Sequence, residues 1–353
     1  MRLRGWLILV CLLLLGTWIG TLGWRWISTE GRTADGSERV LSGAEDEREE
    51  SEPAEDGTDG DRRKEENGET DDGGTVGVGE NAVSGRILLE RDGLQTYMAV
   101  EDYLPGVVAC QIDTALEAEA MKCQAVIART YIGRLMDGRE EITEEELDLD
   151  YLGERTLAAA DPVSREKLAA SLELCEEAVC ETDGIVMTYD RRCILPLFHK
   201  VSAGRTRAGE SDYPYLKSVE SRWDREAETY EREFSWTEKE FASLISQIPG
   251  GQPVDASQIP SQMQTVRKDA AGYIMQMKVG SSTYTGEEIQ YALGLPSACF
   301  TFSGTEQEIR ATVRGSGHGY GLSQAGADGM AREGWRWEDI LHYYYAGISL
   351  EKK

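Results

Sequence analysis

The feature that most restricts how this chain can fold is an uncharged apolar run close to its start. No charged residue occurs between Gly5 and Trp24, and tryptophans cluster at the distal end of the run. A helix rising about 1.5 Å per residue over this stretch spans roughly 30 Å, which matches the hydrocarbon core of a bilayer. Interfacial tryptophans are typical of such spans. We therefore predict that residues 1–27 form a short N-terminus followed by a transmembrane anchor over residues 5–27.

The charges around this run predict its orientation. Arg2, Arg4 and the amino terminus precede it and Arg25 follows it, so the positive-inside rule favours a cytoplasmic N-terminus. We expect a single-pass protein of the cell membrane whose remaining chain is extracytoplasmic. A cleaved signal peptide is the alternative, although the run exceeds the roughly 7–15 apolar residues of such peptides and no small-residue cleavage site follows it.

The segment that follows, residues 28–84, is acidic and poor in apolar residues. It carries 19 acidic against 6 basic residues and only five Val or Leu, so it cannot bury enough apolar surface to offset chain entropy. We predict a disordered linker that charge repulsion extends. Of the net charge of −27, residues 85–353 hold −17. A domain with this negative charge is not expected to bind nucleic acid, because it repels the phosphate backbone.

From Gly85 onward, helix and strand patterns follow each other without a βαβ order. Alternating apolar residues around Asp92-Gly93 predict a hairpin over 86–99. We predict further strands in hairpins at 185–198 and 262–279, and near 300 and 308–314. Helices are predicted at 100–108, where Pro105 interrupts the pattern, and at 116–136, 165–179, 237–246, 322–332 and 337–345, with an exposed excursion at 137–165. This order predicts an α+β domain over 85–353, with antiparallel hairpins and sheets and packed helices.

Three motifs within this domain contain the polar side chains that could form a functional site. Tyr103–Tyr131 reads YLPGVVACQIDTALEAEAMKCQAVIARTY, Phe198–Thr206 reads FHKVSAGRT, and Gly315–Gly347 begins GSGHGYGLSQAGADGM. In this order and spacing they resemble the stage II sporulation protein D family, which includes the amidase enhancers. The resemblance covers roughly residues 86–350.

The resemblance implies a site for peptidoglycan glycan strands. Catalytic members of the family are lytic transglycosylases that cleave between N-acetylmuramic acid and N-acetylglucosamine in strands without stem peptides. One Glu acts first as the acid and then as the base, which yields a 1,6-anhydro sugar. Members work beside a cell-wall amidase during engulfment of the forespore. The resemblance thus implies glycan strands and an amidase as partners, and no cofactor.

The chain departs from the family at the catalytic position. The family segment resembles V-V-A-A-E-M-P, whereas this chain reads VVACQID and places Gln111 where the Glu is expected. An amide cannot donate a proton and then act as a base. General acid–base catalysis of this kind is worth about 10²–10⁴-fold in rate. Gln111 can still hydrogen-bond a glycosidic or acetamido oxygen. Asp113, Glu117 and Glu119 are the alternative acids, although Glu119 also suits the first turn of the long helix.

The resemblance places further side chains on the glycan groove: Lys122, Gln124, Arg129, His199, Ser202, Arg205, His318, Ser323 and Gln324. Glycines on both sides of His318 would let the backbone approach a ligand closely, and the small residues after His199 suit hydroxyl and acetamido groups. The competing interpretations are a tight turn with a structural His318 and an ordinary strand-end turn near Ser202. His342 fits a core histidine of a helix. A Ser/His nucleophile pair has little support, because no G-x-S-x-G turn is present.

Six cysteines lie beyond the apolar run, which allows fifteen pairings. Cys180 and Cys193 flank the hairpin predicted at 185–198 and are a candidate disulfide. Cys110 and Cys123 stand where the family has Ala and fit packing thiols. Cys175, Cys180, Cys193 and His199 have a loosely zinc-like spacing that matches no recognised finger, so we expect no metal.

The leading hypothesis is a membrane-anchored cell-wall protein of sporulation that binds peptidoglycan glycan strands, with Gln111 leaving cleavage of the lytic transglycosylase type open. The alternative is a non-catalytic glycan-binding enhancer or scaffold for a cell-wall amidase. An adhesin or sensor without a glycan role is the third class.

Overall fold

The computed structural model describes residues 85–91, 93–259, 261–304 and 308–353. The membrane anchor predicted at 5–27 and the linker predicted at 28–84 lie outside the described residues. Among the helices that are described, none combines the length and the apolar character needed to cross a bilayer. The prediction of an α+β domain is confirmed by the described part of the chain.

The described chain begins with the predicted hairpin. Strands β1 (Arg86–Arg91) and β2 (Leu94–Ala99) pair antiparallel, and Gly93 in the turn adopts φ +75°, which favours glycine. Helix α1 (Val100–Gln111) follows at once. It continues through Pro105, where the sequence predicts an interruption. The helix stays continuous because apolar residues both before and after the proline, Val107 among them, pack into the core.

Helix α2 (Ala118–Met136) is the central helix of the fold. One of its faces packs with α1 and β1, and the opposite face packs with elements from the end of the chain. The segment 137–165, which the sequence predicts to be exposed, instead contains short elements and some buried side chains. It contains β3 (Glu141–Thr143), which pairs parallel to β1, and the short helices α3 (Glu144–Leu147) and α4 (Glu154–Ala159). Apolar side chains such as Leu147 anchor it in the core.

Helix α5 (Pro162–Glu181) leads to strand β4 (Ile185–Tyr189), which pairs with β5 (Arg192–Cys193) and with the last strand, β14 (Ser349–Lys352). The second hairpin is therefore shorter than predicted. Strand β6 (Phe198–His199) leaves it and pairs parallel with β13 (Leu322–Ser323), more than a hundred residues away.

Residues 231–314 form a β-rich unit with its own apolar core. Its elements are β7 (Glu231–Trp236), α6 (Glu238–Ile245), β8 (Met263–Lys268), β9 (Ile274–Val279), β10 (Ser282–Tyr284), α7 (Gly286–Leu293), β11 (Phe300–Gly304) and β12 (Ile309–Arg314). The predicted hairpin of β8 and β9 and the helix predicted at 237–246 are confirmed, and Thr237 caps that helix in a capping box. The chain ends with α8 (Gln324–Arg332), α9 (Trp337–Tyr344) and β14.

Candidate functional site

Three glutamine side chains from distant parts of the sequence meet at one point, which we call the amide cluster: Gln111, Gln124 and Gln324. The Gln124 Nε2 donates to Gln111 Oε1 at 2.8 Å. The Gln324 Nε2 donates to the Gln111 carbonyl at 2.8 Å and to Gln124 Oε1 at 3.1 Å. Gln111 retains 7% of its exposure, whereas Gln124 is fully buried. The cluster is therefore largely buried, and only Gln111 and Gln324, which is 5% exposed, keep a narrow contact with solvent.

Helix ends explain why these amides converge. Gln111 is the last residue of α1, Gln124 lies in the second turn of α2, and Gln324 opens α8. The pairing of β13 with β6 fixes the start of α8, and the Ser323 hydroxyl caps that helix by accepting from the Gly326 amide. The position of each amide is therefore set by backbone structure.

No carboxylate among the described residues hydrogen-bonds to the amide cluster. Asp113 is exposed and accepts from the Ala115 amide at 3.0 Å, and Glu117 lies 3.8 Å from Arg332. Glu119 accepts from Lys122 at 2.6 Å and from the Trp337 amide at 2.8 Å. Although burial opposes the shift, these two donors hold the pKa of Glu119 below its usual value. The arrangement offers amide donors and acceptors and no titratable group.

A buried aspartate network lies beside the cluster. Asp224 is fully buried and accepts hydrogen bonds from the hydroxyls of Ser202 and Ser323, the latter at 2.5 Å. Ser202 in turn accepts from the Gly204 amide at 3.1 Å. Burial raises the pKa of Asp224 to about 6, against the lowering effect of the serine hydrogen bonds. The network ties the turn after β6 to the start of α8.

Sequence reasoning missed Asp224. It lies within SRWDRE, a segment dense in charged residues, where one buried carboxylate looks like its exposed neighbours. The only clue in the sequence is the pair of predicted serines, Ser202 and Ser323. Once β6 and β13 pair, their hydroxyls need a common acceptor.

The two predicted histidines hold the glycine-rich loop and face each other with ring centroids 5.6 Å apart. The Nδ1 of His199 donates to the Tyr320 carbonyl at 3.0 Å, and the Nε2 of His318 donates to the Phe198 carbonyl at 2.8 Å. Burial, together with the His318 charge, lowers the pKa of His199 to about 3, and burial lowers the pKa of His318 to about 4. Neither ring is suited to take up a proton near neutral pH.

Close backbone packing explains the glycines of this loop. At Gly321, with φ +67°, a Cβ atom would stand 1.8 Å from the Leu197 carbonyl oxygen. At Gly319, with φ +84°, it would stand 2.5 Å from the Tyr273 ring. The loop is thus packed between β6 and the β-rich unit.

Arg207, a second residue that sequence reasoning missed, joins the loop to the β-rich unit. Its guanidinium donates to Asp269 at 2.7 Å, to Glu287 at 2.8 Å and to the His318 carbonyl at 3.3 Å. It lies between the rings of Tyr273 and Tyr320. This ring-flanked arginine is 2% exposed, so its role is to hold the loop.

The other predicted site residues lie apart from the amide cluster. Lys122 is paired with Glu119 and Glu181. Arg129 is fully buried, and its guanidinium bonds Glu101 through two nitrogens. Arg205 is exposed. The contacts of Lys122 and Arg129 give both a structural role.

The six cysteines of the described chain are free thiols, so the candidate disulfide between Cys180 and Cys193 is not formed. Within the described ranges, no group of three or more His, Cys, Asp or Glu side chains could hold a metal ion.

Comparisons with known proteins agree with these motifs. Residues 92–189 match the family described as Stage II sporulation protein. The stage II sporulation protein D of Bacillus subtilis is 32% identical over 266 residues, which are 72% of this chain and 74% of that protein. Its counterpart in Bacillus amyloliquefaciens is 30% identical over 262 residues, again 72% and 74%. An uncharacterized protein of Brachyspira hyodysenteriae is 26% identical over 261 residues, 71% of this chain and 66% of its own.

Proposed function

Because this chain belongs to the stage II sporulation protein D family, we propose that it acts in sporulation by binding peptidoglycan glycan strands at the amide cluster. In this proposal Gln111 holds the strand, and it does not cleave it by acid–base catalysis. The family resemblance indicates the class of ligand, which is a glycan strand. The amide at position 111 restricts the proposal to binding without acid–base cleavage.

The observation that carries the proposal is the hydrogen bonding of the Gln111 amide. Its oxygen already accepts from Gln124, and no acceptor for its nitrogen is found among the described residues. A donor amide that keeps a small exposed fraction, 7% here, suits a glycosidic or acetamido oxygen. The same group has no proton that it can transfer and recover, so binding is the chemistry that this position supports.

Two further inferences complete the proposal. Residues 5–27 would anchor the chain in the cell membrane with its N-terminus inside, which leaves the domain beside the wall. A cell-wall amidase would be its working partner, with this chain acting as an enhancer or scaffold. Both rest on the sequence pattern and the family resemblance.

The rival is a working lytic transglycosylase with a displaced acid. Asp113 is the observation that favours it, because this exposed carboxylate lies two residues from Gln111 and uses one oxygen, Oδ1, in its own turn.

The test uses the full chain in detergent and purified glycan strands without stem peptides. We expect retention on the strands and anhydro-sugar ends no higher than in a blank without protein, as measured by mass spectrometry. For Gln111→Glu we expect those ends to rise at least about 10²-fold above the blank. The matched control is Gln95→Glu, since Gln95 is an exposed glutamine of β2 that takes no part in the hydrogen bonds of the cluster.

Turnover by the unchanged chain that Asp113→Asn abolishes would instead establish the displaced-acid enzyme. Failure of the unchanged chain and of Gln111→Glu to be retained on strands would remove the glycan role altogether.

A further inference from the structure

A cleft lies between two helices of the β-rich unit, and we call it the α6–α7 groove. It has a volume of about 510 Å³ and is lined mainly by apolar side chains: Leu244, Ile248, Pro249, Tyr291 and Ala292. Tyr291 is 84% exposed. That volume lies within the roughly 300–1,000 Å³ of ordinary binding pockets, so the groove can accept several side chains.

The groove exists because the two helices use their inner faces for the core of the unit. Phe241 and Ile245 of α6 and Ile289 of α7 are fully buried there. This packing leaves the next apolar positions, including Leu244 and Tyr291, at the rim. An exposed tyrosine beside apolar side chains is the composition expected of a docking surface.

The charge of the groove has one sign. Glu287 and Glu288 line it, and no Lys or Arg is among its lining residues. Each carboxylate is half engaged, because Glu287 Oε1 accepts from Arg207 and Glu288 Oε2 accepts from the Thr285 amide. Their other oxygens bond no group in the described ranges, so they can accept from a cationic partner.

We propose that the α6–α7 groove docks a cationic, apolar-faced segment of a partner protein. Charge decides against the other occupants. The chain's own residues 28–84 carry −13, and a second copy would bring another domain of −17 to the same surface. A helix with apolar residues at i, i+3, i+4 and i+7 and with lysines on its flanks matches both the cleft and its rim.

The groove is joined to the glycine-rich loop through a short chain of contacts. Glu287 bonds Arg207 at 2.8 Å, and Arg207 bonds the His318 carbonyl at 3.3 Å. A docked segment would therefore touch a residue that helps to hold the loop. The proposal does not depend on the glycan role of the amide cluster.

The test uses the full chain in phosphatidylcholine nanodiscs and a helical peptide of about 15 residues built from leucine and lysine, with a photoreactive leucine. Empty nanodiscs give the blank. We expect cross-links that mass spectrometry maps to Leu244, Ile248 or Tyr291, and a loss of at least about tenfold in yield for Tyr291→Asp. Tyr97→Asp is the matched control, since Tyr97 is 53% exposed on β2, and it should stay within about twofold.

Three results would overturn the proposal. The first is a cross-link yield for Tyr291→Asp equal to that of the unchanged chain. The second is equal labelling by a peptide in which glutamate replaces every lysine. The third is a dimer in sedimentation that Tyr291→Asp dissolves, which would make a second copy the occupant. Retention of Tyr291→Asp on glycan strands, measured in parallel, separates this outcome from failure of the glycan role.

Discussion

The two parts of the described chain bury different kinds of side chain. Tyrosines aside, the buried polar and charged residues of the described structure lie almost entirely outside the β-rich unit of residues 231–314, where Ser297 is the exception. The unit has an apolar core. The rest of the protein buries three glutamines, two aspartates, a histidine and two arginines. A buried polar group costs stability unless it is hydrogen-bonded. The difference therefore shows that hydrogen bonds between buried groups fix the geometry of the part outside residues 231–314, which we call the polar part.

The buried polar groups share one property that explains their placement. Most of them bridge elements that are far apart in the sequence, as Gln324 does between α8 and α1, and Asp224 between β13 and the turn after β6. Directional bonds fix such junctions more narrowly than apolar contact does. The polar part therefore sets the geometry of the candidate site, and the β-rich unit supplies a scaffold with the α6–α7 groove on its surface.

The largest expected effect comes from breaking a polar junction. Arg129→Met would leave Glu101 without its partner and remove bonds to the carbonyls of Val179 and Ile185. Removing one member of a buried ion pair costs about 3–5 kcal/mol, and the 28% exposure of Glu101 places this pair near the lower end of that range. We expect the free energy of unfolding in urea to fall by that order.

The matched control for Arg129 is an exposed pair of the β-rich unit. Arg314 bonds Glu231 at 2.8 Å across strands β12 and β7, with both side chains about half exposed. Arg314→Met should cost about 0–1 kcal/mol. Equal losses for the two arginine variants would break the distinction between the polar and apolar parts.

A smaller effect should appear as a pH dependence of stability. Burial raises the pKa of Asp224 to about 6 from its ordinary 3.8, so the folded protein holds this proton more tightly than the unfolded chain. Its contribution to stability is complete below pH 3.8 and is lost as the pH rises through 6. Compared with Asp224→Asn, the unchanged protein should lose up to about 3 kcal/mol between pH 4 and pH 7.

Urea titrations of both proteins at several pH values measure this difference directly. The histidines act with the opposite sign, since the lowered pKa values of His199 and His318 withdraw stability as the pH falls below 6.5. Subtracting the Asp224→Asn curve removes their contribution. A flat difference between pH 4 and pH 7 would show that Asp224 is not buried as described.

How far the sequence predicts this structure depends on the range of the contacts involved. The hairpin of β1 and β2 and the helices α2 and α6 follow from residues a few positions apart, and these predictions are confirmed. The hairpin predicted through 198 is wrong in its second half, because β6 pairs with β13. That choice depends on residues that no local pattern connects.

The candidate site shows the same limit. The family resemblance brings Gln111, Gln124 and Gln324 into one prediction, and the structure adds that their amides bond each other. Asp224 and Arg207 could not be predicted, because their burial depends on partners more than twenty residues away in the sequence. Local pattern therefore predicted the helices that carry Gln124 and Gln324, whereas the helix predicted at 100–108 ends three residues before Gln111. Long-range pairing decided which charges are buried behind the amides.

The smallest expected effect compares two helix caps, one from each part. Ser323 caps α8 and also donates to buried Asp224, whereas Thr285 caps α7 in an exposed capping box. An N-cap alone is worth about 1 kcal/mol, so Thr285→Ala should cost about that much. Ser323→Ala should cost about 1–3 kcal/mol more, because it also leaves Asp224 with one donor fewer. Urea unfolding at pH 7, where Asp224 is charged, measures both, and at pH 4 the gap between them should narrow. Equal costs at both pH values would mean that the hydroxyl acts only as a cap and that the aspartate network does not stabilise the junction.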